Sequence, residues 1–127
     1  MNSPETVKTA GRYAYDGLDR IIHEKARLSI VASLAGHSEG LLFNELKELC
    51  ALTDGNLSRH LAILQEADIV QTWKGTRNKR PQTLARLTHQ GRLRFLEYVT
   101  RLERVVADAS RLTEQPGAGV ALRPRTT

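Results

Sequence analysis

The sequence predicts a mainly α-helical domain with one small β-hairpin and a long C-terminal helix. Aliphatic residues recur at helical spacing along most of the chain. Two short strand-like runs, Ile69 to Lys74 and Thr83 to Leu87, flank a polar segment rich in breakers. The core material is aliphatic as well, with 18 Leu against 2 Phe, 3 Tyr and 1 Trp, which suits packed helices better than a β-sandwich.

Residues 1–16 are polar, carry Pro4 and Gly11, and read as a loose arm. Helical spacing begins with Leu18, Ile21 and Ile22, and a second helical stretch runs from Glu24 to Ala35, ending at Gly36 as a left-handed C-terminal cap. Leu41–Phe43 is a strand stub or a core plug. Asn44 is a candidate N-cap for a short helix with Leu46, Leu49 and Cys50 on its apolar face. Thr53 caps the next helix, 54–67, with Asp54 in the first turn where the helix dipole favours a carboxylate. Residues 75–81 form a polar turn between the strands, and Thr88 caps a final helix to Leu112. Two short helices joined by a tight turn, then a basic hairpin, make a winged helix-turn-helix. The domain spans 17–113, and 114–127 reads as a disordered basic tail.

A length of 127 residues suits one domain. A single cysteine, Cys50, excludes an internal disulfide and a multi-thiolate metal site. It fits a reducing compartment, here the cytoplasm, and its place on an apolar face favours inert burial over redox chemistry. His23, His37, His60 and His89 are dispersed without ligand spacing, so no metal is expected; His60, beside the apolar face of its helix, reads as a hydrogen-bonded structural residue. No signal peptide or membrane span is visible. Hydrolase, phosphate-loop and metalloprotease signatures are missing. The expectation is a protein without catalysis and without a cofactor.

The net charge of +5 is local, because residues 69–96 contain no acid and hold seven of the 19 Lys and Arg. That points to a polyanion. On the helix from Asp54, residues placed at 100° intervals put Leu57, Leu61 and Leu64 on one face and Gly55 and Arg59 opposite, flanked by Asn56 and Ser58. Asn56 can read adenine and Arg59 guanine, Ser58 or Thr53 can bind phosphate or base, and Gly55 leaves room for a phosphate to approach backbone. A solvated, capped helix face would look the same by itself. The hairpin cations Lys74, Arg77, Lys79 and Arg80 shift the balance towards double-stranded DNA. Trp73 reads as half-buried packing.

On the final helix Phe95, Val99, Leu102, Val106 and Ala109 are spaced 4, 3, 4, 3. A second row holds Tyr98, Val105 and Leu112. This double stripe predicts a homodimer, with Leu102 and Val106 beyond reach of the helix-turn-helix core. The competing reading is that Leu18, Ile21 and Ile22 cover the stripe.

The strings Leu52-Thr-Asp-Gly-Asn-Leu-Ser-Arg-His-Leu61 and Leu64-Gln-Glu-Ala-Asp-Ile-Val70 resemble the recognition-helix segment of small winged-helix transcriptional regulators of the MarR/ArsR-type superfamily. Arg27-Leu28, Phe43-Asn44-Glu45-Leu46 and Leu87-Thr88-His89-Gln90-Gly91-Arg92 fit the same pattern in the same order. The resemblance implies a dimeric regulator with DNA contacts at Thr53, Asn56, Ser58 and Arg59 and a wing at Arg77, Lys79 and Arg80. Asp68 departs from it, standing where such sequences usually have Gly; Asp also tolerates left-handed geometry. The expected function is sequence-specific transcriptional regulation. The alternatives are a repressor responding to a small apolar molecule near the dimer interface, and a protein-interaction module with an incidental basic wing.

Overall fold

The structure is a computed structural model that describes residues 11, 13–15 and 17–114. Most of the expected arm and all but the first residue of the expected tail lie outside that range. The elements are α1 (Lys25–Ala35), β1 (Leu41–Leu42), α2 (Phe43–Cys50), α3 (Asp54–Glu66), β2 (Val70–Arg77), β3 (Arg80–Leu87) and α4 (His89–Thr113). The strands form an antiparallel sheet in the order β1-β3-β2. One core joins Ile30, Val31 and Leu34 of α1, Leu46 of α2, and Leu57, Leu61 and Leu64 of α3 to Leu41, Val70, Ala85 and Leu87 of the sheet. Tyr98 closes it from α4. No described helix is long and apolar enough to cross a membrane.

The caps at Thr53 and Thr88 form as expected. Thr53 Oγ1 accepts the Asn56 N–H at 3.2 Å, and Thr88 Oγ1 accepts that of Gly91 at 2.8 Å. The expected helix at Leu18–Ile22 does not form. Asp19 Oδ1 instead accepts the N–H groups of Ile21 (2.9 Å) and Ile22 (3.2 Å), a local alternative to helical hydrogen bonding. α1 starts after it, capped by the Glu24 carboxylate on the Arg27 N–H at 3.0 Å. That hydrogen bond draws the Glu24 pKa below its ordinary value.

Asn44 is not a cap. α2 begins one residue earlier, and Glu45 Oε1 takes the Leu42 N–H at 2.8 Å. Gly36 closes α1 at φ −81°, in the right-handed region, so the expected left-handed cap is absent there. Ala51 takes a left-handed cap after α2, at φ 53°. Asp68 has φ 60° and turns the chain from α3 into β2, as its side-chain chemistry allows.

The hairpin is longer and its tip tighter than expected from Gly75 and Pro81. Pairing continues through Gly75↔Gln82 and Thr76↔Pro81 to Arg77↔Arg80. Only Asn78 and Lys79 turn, at φ 53° and 63°, as a two-residue hairpin of this twist requires. Pro81 is tolerated because β3 has a single neighbour there, β1 pairing only at Leu84 and Ala85.

Tyr15, Asp19 and His23 each bond to α4. Asp19 Oδ2 accepts from Arg94 Nη2 (2.8 Å) and Nε (3.0 Å). His23 Nδ1 lies 2.7 Å from the hydroxyl of buried Tyr98, whose pKa burial raises. Tyr15 donates to buried Asp108 at 2.9 Å, and Arg111 reaches the same carboxylate at 2.6 Å. Phe95, Val99 and Leu102 are half-buried against the core, Leu102 included, contrary to the expected limit of the core's reach. Val106 and Ala109 are exposed.

Candidate nucleic-acid interface

α3 is clamped on its inner face. Leu57 and Leu64 are fully buried, which anchors them by roughly 1.5–3 kcal/mol each. His60 is buried too. Its Nδ1 lies 3.2 Å from Arg27 Nη1 and its Nε2 lies 4.0 Å from Glu24 Oε2, both contacts from around the start of α1. Arg27 also donates from Nε to the Ile21 carbonyl at 2.7 Å. His60 therefore has the structural role expected of it. At the two ends, Lys47 of α2 pairs with Asp54 at 2.8 Å, and Thr72 of β2 donates to Gln65 at 3.0 Å.

The outer face of α3 is left to solvent. Thr53, Gly55, Asn56, Ser58 and Arg59 are all exposed. A Cβ added at Gly55 would meet nothing within 4 Å, so the helix surface there is open to close approach. The wing presents Lys74, Arg77, Lys79 and Arg80, also exposed. None of the four is in a salt bridge among the described residues. Uncompensated cations of this kind suit phosphate.

Between α3 and the wing lies an open hollow of about 300 Å³. Asn44, Ser58, Gln82 and Thr83 line it, and their side chains make no hydrogen bond within the described residues. The hollow thus brings Ser58 of α3 beside the wing strand. Asn44, Gln82 and Thr83 were not expected in the site. Asn44 resembled a cap, Thr83 an ordinary strand residue and Gln82 a connection, and only the crossing of α2, α3 and β3 unites them. Trp73, expected as packing, is 40% exposed, with the Arg86 guanidinium 5.1 Å from its ring centre. Cys50 is half-buried, its Sγ 3.7 Å from the Ser33 hydroxyl.

A family model described as "Winged helix DNA-binding domain" matches residues 26–106, well over half of the chain. The chain belongs to this winged-helix family. The match runs from α1 into α4 and takes in the whole of α3 and the wing. An uncharacterized protein of Methanocaldococcus jannaschii is 40% identical over 80 residues, covering 63% of this chain and 86% of that protein. Among solved structures, a transcriptional regulator homologue from Pyrococcus horikoshii superposes with a TM-score of 0.67 at 25% identity, covering 72% of this chain and 89% of that one. The regulator MosR of Mycobacterium tuberculosis, solved with DNA, gives a TM-score of 0.57 at 18% identity, covering 87% and 82%. The winged-helix fold is shared with a MarR-family regulator of known structure from Silicibacter pomeroyi.

Proposed function

We propose that this chain is a transcriptional regulator of MarR type that binds double-stranded DNA sequence-specifically as a homodimer in the cytoplasm. α3 lies in the major groove, with Asn56 and Arg59 reading base edges, and Thr53, Ser58 and the open backbone at Gly55 against phosphate. The wing, through Lys74, Arg77, Lys79 and Arg80, follows the backbone or enters the minor groove. The hollow at Asn44, Ser58, Gln82 and Thr83 offers neutral donors to the strand passing between helix and wing. The observation that carries this reading is the pairing of a buried, clamped inner face on α3 with an exposed outer face and wing cations that are in no salt bridge among the described residues. The structure of MosR with DNA supports it by shared fold.

The wing is tested by its salt dependence. Replacing Arg77, Lys79 and Arg80 together by Ala is expected to flatten the slope of log affinity against log salt by about 0.9 per lost phosphate contact. The circular-dichroism spectrum should stay unchanged, because all three side chains are exposed. An unaltered slope with an intact fold removes the wing from the interface.

The homodimer is proposed to form along α4, through the row Phe95, Val99, Leu102, Val106 and Ala109. Its support is the far end of the row, which the core leaves uncovered, with Val106 60% exposed, and Leu96, outside the row on the same helix, 57% exposed. Val106→Asp should give a folded monomer, since the α3 core is remote from position 106, and should weaken duplex binding as one half-site replaces two. Sedimentation of wild type and variant at tens of micromolar decides this; a monomeric wild type contradicts the dimer.

A further inference from the structure

The sheet has a second face, turned away from α3. Cross-strand partners share a face. Leu41, Ala85 and Thr72 lie on the inner one, where Thr72 bonds to Gln65 of α3. Leu42, Leu84 and Trp73 form the corresponding row on the outer one. Leu42 and Leu84 are half-buried and Trp73 is exposed, so this row is an apolar strip crossing all three strands. A shallow groove of about 200 Å³ runs beside it, bordered by Lys74, Gly75 and Gln82. A Cβ at Gly75 would meet nothing within 4 Å, which leaves the groove open from above. Arg86 lies over the indole, and the Arg77↔Arg80 pair stands on the same face nearer the tip. Neither β2 nor β3 contains an acid.

We propose that this outer face docks an acidic segment of a partner protein. One bulky apolar side chain of the partner rests on the Leu42–Leu84–Trp73 strip, and its carboxylates meet Arg86. Charge selects this occupant. A second copy packed face to face would set Arg86 and the Arg77↔Arg80 pair against their own kind. Residues 115–127 of this chain carry Arg123 and Arg125 and no acid, so they are repelled as well. α3 lies on the other side of the sheet, so the duplex it would hold reaches this face only at the tip, through Arg77 and Arg80. An acidic partner with an apolar anchor matches both the strip and its cationic border.

Trp73 is the sole tryptophan, so its emission reports on this face directly. The test is selection of random dodecapeptides on the full chain without DNA, followed by titration of the enriched peptides as synthetic compounds. The expected peptides combine Asp or Glu with Leu, Phe or Trp. Those lacking Trp should shift Trp73 emission to the blue, and added salt should weaken them. Arg86→Glu, which keeps the reporter, and Trp73→Thr, followed by a dye on the peptide, should each weaken binding by about tenfold or more. Both variants should keep wild-type circular dichroism and duplex affinity, so the outcome does not depend on the DNA-binding reading. Enrichment of basic or purely apolar peptides overturns the proposal. So does binding indifferent to Trp73 and Arg86, or a Trp73 that is already shielded from acrylamide in the free protein. A duplex that shifts the emission as the peptides do would assign the face to DNA and overturn it equally.

Discussion

Gly91→Ala should destabilise the domain by about 2–3 kcal/mol, although it exchanges a poor helix former for the best one. The exchange alone favours α4 by about 1 kcal/mol. At position 91, however, an added Cβ would collide with the Ile69 carbonyl oxygen and stand 2.8 Å from its carbon. Those are backbone atoms and cannot rotate away. The same carbonyl accepts the Thr88 N–H at 2.9 Å, and the Thr88 hydroxyl in turn holds the Gly91 N–H. Making room for one methyl therefore moves the start of α4 off the corner at Asp68–Ile69. Overpacking of this kind costs roughly 1–3 kcal/mol, and each strained hydrogen bond adds about 0.5–1.5 kcal/mol, which together exceed the helical gain. Urea denaturation is the measurement. Gly55→Ala is the control: with open space around it, it should stabilise by about 0.5–1 kcal/mol. Equal stabilisation by both substitutions would mean that α4 does not approach Ile69 as closely as described.

Asn56→Ala and Arg59→Ala should each lose about 1–3 kcal/mol on the preferred duplex, and much less on random duplex. Both residues sit in the first half of α3, exposed, beyond the Thr53 cap. An inner face fixed by Leu57, His60, Leu61 and Leu64 limits how far the helix can tilt to compensate for a lost contact. Neither substitution touches the core, so melting temperatures should hardly move. Competition binding against selected and random duplex separates the roles. Equal losses on both would leave Asn56 and Arg59 as phosphate contacts and move base reading elsewhere.

Local chemistry made much of this fold legible. Thr53 and Thr88 could be recognised as caps because the hydroxyl acts within three residues of its own position. Asp68, where the family pattern has Gly, suggested a different turn, yet it keeps the left-handed corner at φ 60°, which a short polar side chain tolerates. The Leu-Thr-His-Gln-Gly string of the resemblance gains a physical basis: Thr88 caps the helix, and Gly91 admits the Ile69 carbonyl. Failures came where partners are distant. The spacing of Leu18, Ile21 and Ile22 suggested a helix, but Asp19 binds the local backbone with one oxygen and Arg94, 75 residues away, with the other. Gly75 and Pro81 looked like the limits of a loop, yet both pair within the strands, because neither the open side of Gly75 nor the missing N–H of Pro81 conflicts with pairing there. In the interface, Ser58 could be picked from its helix face, whereas Asn44, Gln82 and Thr83 meet it only through the tertiary fold.

The central claim is that this winged helix reads sequence and does more than attract polyanions. Its most direct test is to select duplexes from a random pool with the wild-type chain. The enriched duplex and a scrambled version are then titrated at one salt concentration of about 0.15 M, where long-range attraction is screened. The account predicts a preference of about 10³-fold or more for the enriched duplex, reduced towards the scrambled value by Arg59→Ala. Equal affinity for the two duplexes would contradict it.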